Sequence, residues 1–267
     1  MATAAASFED RDLSIGCIFN RAFGTIGRNP VATIGIAFLF GALPTALVGS
    51  GAQYVQTGSF KAIGFWPIAA ISIATAVLMI VFSTLTQGAL VRATIAHSEG
   101  REASLSESAA AGLAVVVPLF LLGLGSALGI GVGLILLVVP GAMLWVMWSV
   151  AAPALVEERI GVFEAFGRSN GLTEGARWKI FGLLLILLIS TWIFGAIIAA
   201  LNLALHGSLM RPALAASHGF SLSDLALNAV ENTVSTVIWG VMQTSLYVEL
   251  RNWKDGPPTD ALVDVFG

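Results

Sequence analysis

A chain of 267 residues with 57% hydrophobic content, 11% charged content and a mean hydropathy of +0.87 falls outside the soluble range, in which about a quarter of residues are charged. Lipid is therefore part of its solvent. The net charge of −3, with positive residues scattered among loops, argues against a nucleic-acid partner, and the single cysteine, Cys17, cannot form an internal disulfide.

The first twelve residues, MATAAASFEDRD, carry acids where a signal peptide carries basic residues, so the first spanning helix is expected to stay in the mature protein. Next, Ile15, Ile18, Phe19, Ala22, Phe23 and Ile26 recur at helical spacing with Asp12, Asn20 and Arg21 off the stripe. This predicts an amphipathic helix, resting either in the cytoplasmic headgroup layer or against neighbouring spans. Weaker patterns of the same kind lie around Leu105 to Leu113 and Ile160 to Leu172.

Crossing a hydrocarbon core about 30 Å thick takes roughly 20 apolar residues. Stretches of that kind occupy residues 31–50, 67–91, 112–156, 179–204 and 224–248. The third is too long for one crossing and contains Val139, Pro140 and Gly141; a missing amide hydrogen and a poor helix former predict a tight connection and the start of a second helix. Six crossings result. Lys and Arg test this count, because cytoplasmic loops hold their excess. One side holds Arg11, Arg21, Arg28, Arg92, Arg101, Arg159, Arg168, Arg177, Lys179, Arg251 and Lys254, and the other only Lys61 and Arg211. The sequence thus predicts an all-α polytopic membrane protein of about six transmembrane helices. It forms a single membrane domain over 1–267: an amphipathic segment at 1–30, six spans within 31–250 and a cytoplasmic tail at 251–267. Both termini face the cytoplasm of a bacterial inner membrane.

Gln87 to Gly100, QGALVRATIAHSEG, aligns with Gln243 to Gly256, QTSLYVELRNWKDG. Ala154, Leu155 and Val156 followed by Gly161 resemble Ala89, Leu90, Val91 and Gly100 with one helical turn removed. Either these mark three related helical hairpins, each led by a cytoplasmic amphipathic helix, or apolar runs resemble each other by chance.

VVPGAMLWVMWSVAAPALVEE and GVFEAFGRSNGLTEGARWKIFGLL resemble the membrane domain family attached to some glycerophosphoryl diester phosphodiesterases and the related six-span bacterial proteins of the YciC type. The likeness is clearest from Leu136 to Gly182 and near Tyr247 to Gly256. It implies that Pro140 and Gly141 open the fourth span and Glu157 closes it, with Ala165, Ser169, Leu172 and Gly175 in the helix and turn that follow. In fused members a separate soluble domain performs the hydrolysis; this chain shows no such domain, so no activity is carried over.

Candidate chemistry is sparse. His97, Ser98 and Glu99 spell HxE, but no PCxxC completes a deaminase zinc site, and no phosphate loop, HExxH or GxSxG occurs. No cofactor and no enzymatic activity are expected. Glu231, with Asn228, Asn232 and Ser235 on one helical face, is either an intramembrane polar site or a wetted residue at the outer surface. Gly125, Gly129 and Gly133 form two GxxxG steps that admit a close helix, from this chain or a second copy. Glu157, Glu158, Arg168 and Arg177 belong to a mixed-charge loop that either docks a cytoplasmic partner or anionic headgroups, or is simply solvated. These readings favour a non-enzymatic scaffold or accessory to envelope or lipid processes. A small transporter or channel using the Glu231 face is the alternative.

Overall fold

The structure is a computed structural model that describes residues 13–28, 30–48, 65–98, 105–206 and 222–256. Of the residues named from the sequence, Arg11, Asp12, Lys61, Glu99, Gly100, Arg101, Arg211 and the tail from 257 lie outside the described residues, as do the side chains of His97 and Ser98. Every regular element among the described residues is helical: α1 (Ile15–Arg28), α2 (Pro30–Ile36) running into a wide π turn (Ala37–Ala42), α3 (Phe65–Ser98), α4 (Leu105–Ala114), α5 (Val116–Leu136), α6 (Val138–Met147), α7 (Ala151–Glu158), α8 (Val162–Thr173), α9 (Arg177–His206) and α10 (Leu222–Lys254).

Among the described residues four helical segments are long and apolar enough to cross a membrane: Trp66–Ala96, Val116–Leu136, Val138–Glu158 and Arg177–Ala204. A fifth is added if α1 and Thr33–Val48, which meet at 84°, are counted as one bent span. The described residues thus hold four to five candidate spans, fewer than the six expected from the sequence. Helix α10 is not among them. Its 33 residues give about 50 Å at 1.5 Å per residue, ample for a crossing, but Glu231, Gln243, Thr244, Ser245 and Glu249 lower its apolar content. Those in its second half are spent inside the protein, as described below.

The amphipathic segments are helices at the expected places. In α1, Ile18 and Ala22 are fully buried and Ile15, Phe19 and Ile26 pack against the same core, while Phe23 at the edge of the stripe is exposed. This face is covered by protein, chiefly α10, which decides between the two placements left open for it. The break expected near Pro140 falls at Leu137, whose extended backbone separates α5 from α6. Pro140 then occupies the first turn of α6, where an amide hydrogen would have no helical acceptor.

Close packing sets the hairpin geometry. A methyl added to Gly133 would sit 2.9 Å from the Cα of Gly141, one at Gly129 would overlap the Trp148 ring, and one at Gly125 would meet Phe166 at 3.3 Å. The glycine stripe of α5 thus faces α6, the turn after it and α8 of the same chain. Gly88 and Gly112 bring α3 and α4 equally close. At the centre stands Val138–Glu158, half buried over its apolar window, against 11% for Trp66–Ala96.

Candidate functional site: a broken span and its charged inner end

Between α6 and α7 the helix is interrupted at Trp148, Ser149 and Val150. The cause lies four residues downstream. Pro153 has no amide hydrogen to give the Ser149 carbonyl, so that carbonyl leaves the helical ladder. In an apolar setting a free backbone group is costly unless the protein meets it. Gln243 of α10 does so, donating its Nε2 hydrogen to the Ser149 carbonyl. Its Oε1 accepts in turn from Gln87 Nε2 of α3 at 3.3 Å. On the other side of the break Ser169 of α8 acts twice: its hydroxyl donates to the Met147 carbonyl at 2.7 Å and accepts from the Val150 amide at 3.3 Å. Two helices, α8 and α10, therefore complete the interrupted backbone, and α3 holds the Gln243 side chain in place. The Ser149 and Ser245 hydroxyls lie buried in this region without a partner.

One to three turns nearer the charged end, the side chains form a ladder between helix ends. Tyr247, wholly buried, donates its hydroxyl to Glu158 at 2.9 Å. Glu158 also receives Arg168 Nε at 2.8 Å, and the same guanidinium grips Asp255 beyond α10. The hydrogen bond to Asp255, opposed by desolvation and reinforced by Glu158, holds Arg168 above the ordinary guanidinium range, so it stays charged. Glu157 sits between Arg251 at 3.6 Å and Arg92 at 3.9 Å. Arg21 of α1 reaches Glu249 at 3.3 Å and the Ser245 carbonyl at 3.4 Å. A single exposed pair of this kind is worth about 0–1 kcal/mol; here the partners are shared, partly shielded and joined to buried groups, so α1, α3, α7, α8 and α10 are fastened together.

Glu157, Glu158 and Arg168 of the charged loop are thus engaged within the fold, and Arg177 donates to Asn170 at 2.8 Å. What the loop presents outward is different: Phe163 is 90% exposed and Trp178 87%. Ala165, Ser169 and Leu172 face inward, and Gly175 turns the chain into α9 with φ of +86°.

The polar face of α10 is more open. Asn228 and Asn232 are exposed, Ser235 and Glu231 half-buried, and Asn232 donates to the Asn228 carbonyl at 2.9 Å. Glu231 lies over Gly195 of α9, its Oε1 3.0 Å from where a methyl on that glycine would be. Glu231 and Glu249 are eighteen residues apart, about 27 Å along the helix, which puts Glu231 near the end of the bundle opposite the charge ladder. Among the described residues no group of three or more His, Cys, Asp or Glu is arranged to hold a metal ion.

Of these residues, the sequence gives no role to Ser149, Tyr247 or Asp255, and marks Ser169 only as part of the helix after the fourth span. A proline inside an apolar run was the available signal for Ser149, four residues before it. Comparison of the chain with family models, with curated proteins and with solved structures finds no match.

Proposed function

We propose that this chain is a non-enzymatic membrane protein that serves as a scaffold or accessory to envelope or lipid processes, crossing a bacterial inner membrane six times with both ends in the cytoplasm. The observation that carries the reading is the use made of its polar groups. Carboxylates, guanidiniums and amides at the charged end bind one another and the broken backbone, giving a fastened platform. The resemblance to the phosphodiesterase-associated membrane domains supports the same layout, and α10 supplies the sixth crossing. Gln87 and Gln243, equivalent in the repeat, bond to each other directly, and Arg92 and Arg251 meet at Glu157, which favours three related hairpins converging at one end.

On this reading docking uses the exposed aromatic residues Phe163 and Trp178, each close in sequence to an exposed basic residue, Arg159 and Lys179, a composition suited to headgroups or a cytoplasmic protein. The test is native mass spectrometry of the chain extracted in a lipid-retaining polymer. Wild type is expected to carry lipid or a protein partner that the Phe163→Ser, Trp178→Ser double variant loses. Recovery of wild type as a bare monomer would overturn the proposal.

A second reading, a small transporter or channel, is favoured by Glu231 against Gly195, a carboxylate at a close helix contact. Solute flux in liposomes decides it: Glu231→Gln should abolish transport, and equal flux in the variant and wild type removes its support.

A further inference from the structure

From Ala127 to Leu144 the chain has no hydroxyl, amide, charged or aromatic side chain, yet it contains the whole α5–α6 turn. A connection between two spans usually emerges into water, where polar residues and solvent meet its free backbone groups. This one is a single residue. Leu137 donates its amide hydrogen to the Gly133 carbonyl at 3.0 Å, and its carbonyl accepts from Gly141 at 3.4 Å. Pro140 brings no amide hydrogen to the new helix. Two backbone groups of the turn are thus met within the chain, and its side chains ask for no water: Ile135, Leu136, Leu137, Val138 and Val139 are apolar and 67–87% exposed. They continue the exposed apolar surface of α5 at Leu124, Leu128 and Val132, the surface a span turns toward acyl chains.

We propose that the tip of the α5–α6 hairpin does not leave the membrane but ends in the acyl layer of the outer leaflet, with lipid chains as its partner. Two membrane-embedded helices joined this way show no loop to the outside, so that a submerged hairpin takes the place of two of the six complete crossings. The excess of Lys and Arg on one side is blind to the difference, because a submerged hairpin returns the chain to the same face as an emergent one.

The inference rests on membrane placement of the chain, so the experiment reads both. Intact inverted and right-side-out vesicles are treated with a membrane-impermeant maleimide. In the wild-type chain the one cysteine, Cys17, exposed on α1, should react only from the cytoplasmic side; in a Cys17→Ala background, Ser208→Cys should react only from the other. Failure of those two controls overturns the placement itself. With them in place, Ile135→Cys and Val139→Cys are expected to react at least about tenfold more slowly than Ser208→Cys from either side. Nitroxides at the same positions are expected to be relaxed by oxygen and not by a water-soluble nickel chelate. Labelling of the tip as fast as Ser208→Cys overturns the proposal, and so does strong spin coupling between tips of separate molecules, which would mean that a second copy, not lipid, covers them. Using both positions guards against one variant that misfolds, recognised by a shifted elution volume.

Discussion

The two ends of the longest helices are built differently. In α3 nearly every residue from Thr84 to Ala96 is buried, with Gln87 and Arg92 half-buried, whereas none is buried from Trp66 to Ser83. In α9 the buried positions are Ile180, Leu183, Leu184 and Leu187, and none follows as far as Ala204. Packing and polar cross-links are thus concentrated at the end that carries the charge ladder. The opposite halves have the length that a bilayer requires rather than the burial that a core supplies. The difference teaches that the fold's specificity is written at the charged end of the bundle, and that apolarity alone is enough for the rest.

Substitutions can break or sharpen this contrast, with stability read from unfolding in mixed micelles by tryptophan fluorescence. The largest effect is expected at a tight joint away from the charge ladder: Gly141→Leu would drive atoms into Leu134 and its backbone and should cost about 3 kcal/mol. A negligible loss there would mean that the hairpin is not closed as described. At the charged end Glu158→Ala removes the acceptor shared by Tyr247 and Arg168 and should cost about 2 kcal/mol, whereas a similar truncation in the opposite half of α3, Ile73→Ala, should stay within about 0.5 kcal/mol. Equal effects at these two would abolish the contrast. Gln243→Leu leaves the Ser149 carbonyl and Gln87 without their partner and should cost about 1 kcal/mol, in keeping with hydrogen bonds between membrane helices; Gln87→Leu should cost less, because the bond to the carbonyl survives. The smallest change has the opposite sign. Arg159 closes α7 in the left-handed region at φ of +51°, and Arg159→Gly should stabilise by up to about 1 kcal/mol.

Much of the helical layout was legible from local pattern. The spacing around Leu105 to Leu113 and Ile160 to Leu172 became α4 and α8 nearly residue for residue, and Pro140 with Gly141 located the hairpin turn to within a few positions. The long-range pairings were not legible. Ser169 and Gln243 reach the broken helix from 22 and 94 residues away, and no local periodicity carries that information. The charged loop showed its composition but not its partners, since Tyr247 and Arg251 come from α10 and Asp255 from the turn after it. The same side chains lower the apolar content of α10: one that serves neighbouring helices scores like one that needs water.

The proline in α7 gives the fold an order in time. Once that helix forms, the Ser149 carbonyl is released, but the amide that will receive it is 94 residues further on, which at cellular synthesis rates of about 5–20 residues per second is roughly 5 to 20 s of waiting. During that interval the nascent protein holds an unmet polar group inside an otherwise apolar segment, and only arrival of the last helix removes it. The break thus works as a mark of incompleteness. A chain stopped after Ala204 is expected to be cleared from the membrane faster than the full chain, with Gln243→Leu in between, and pulse-chase lifetimes that place Gln243→Leu with wild type would show that the cell does not read the mark.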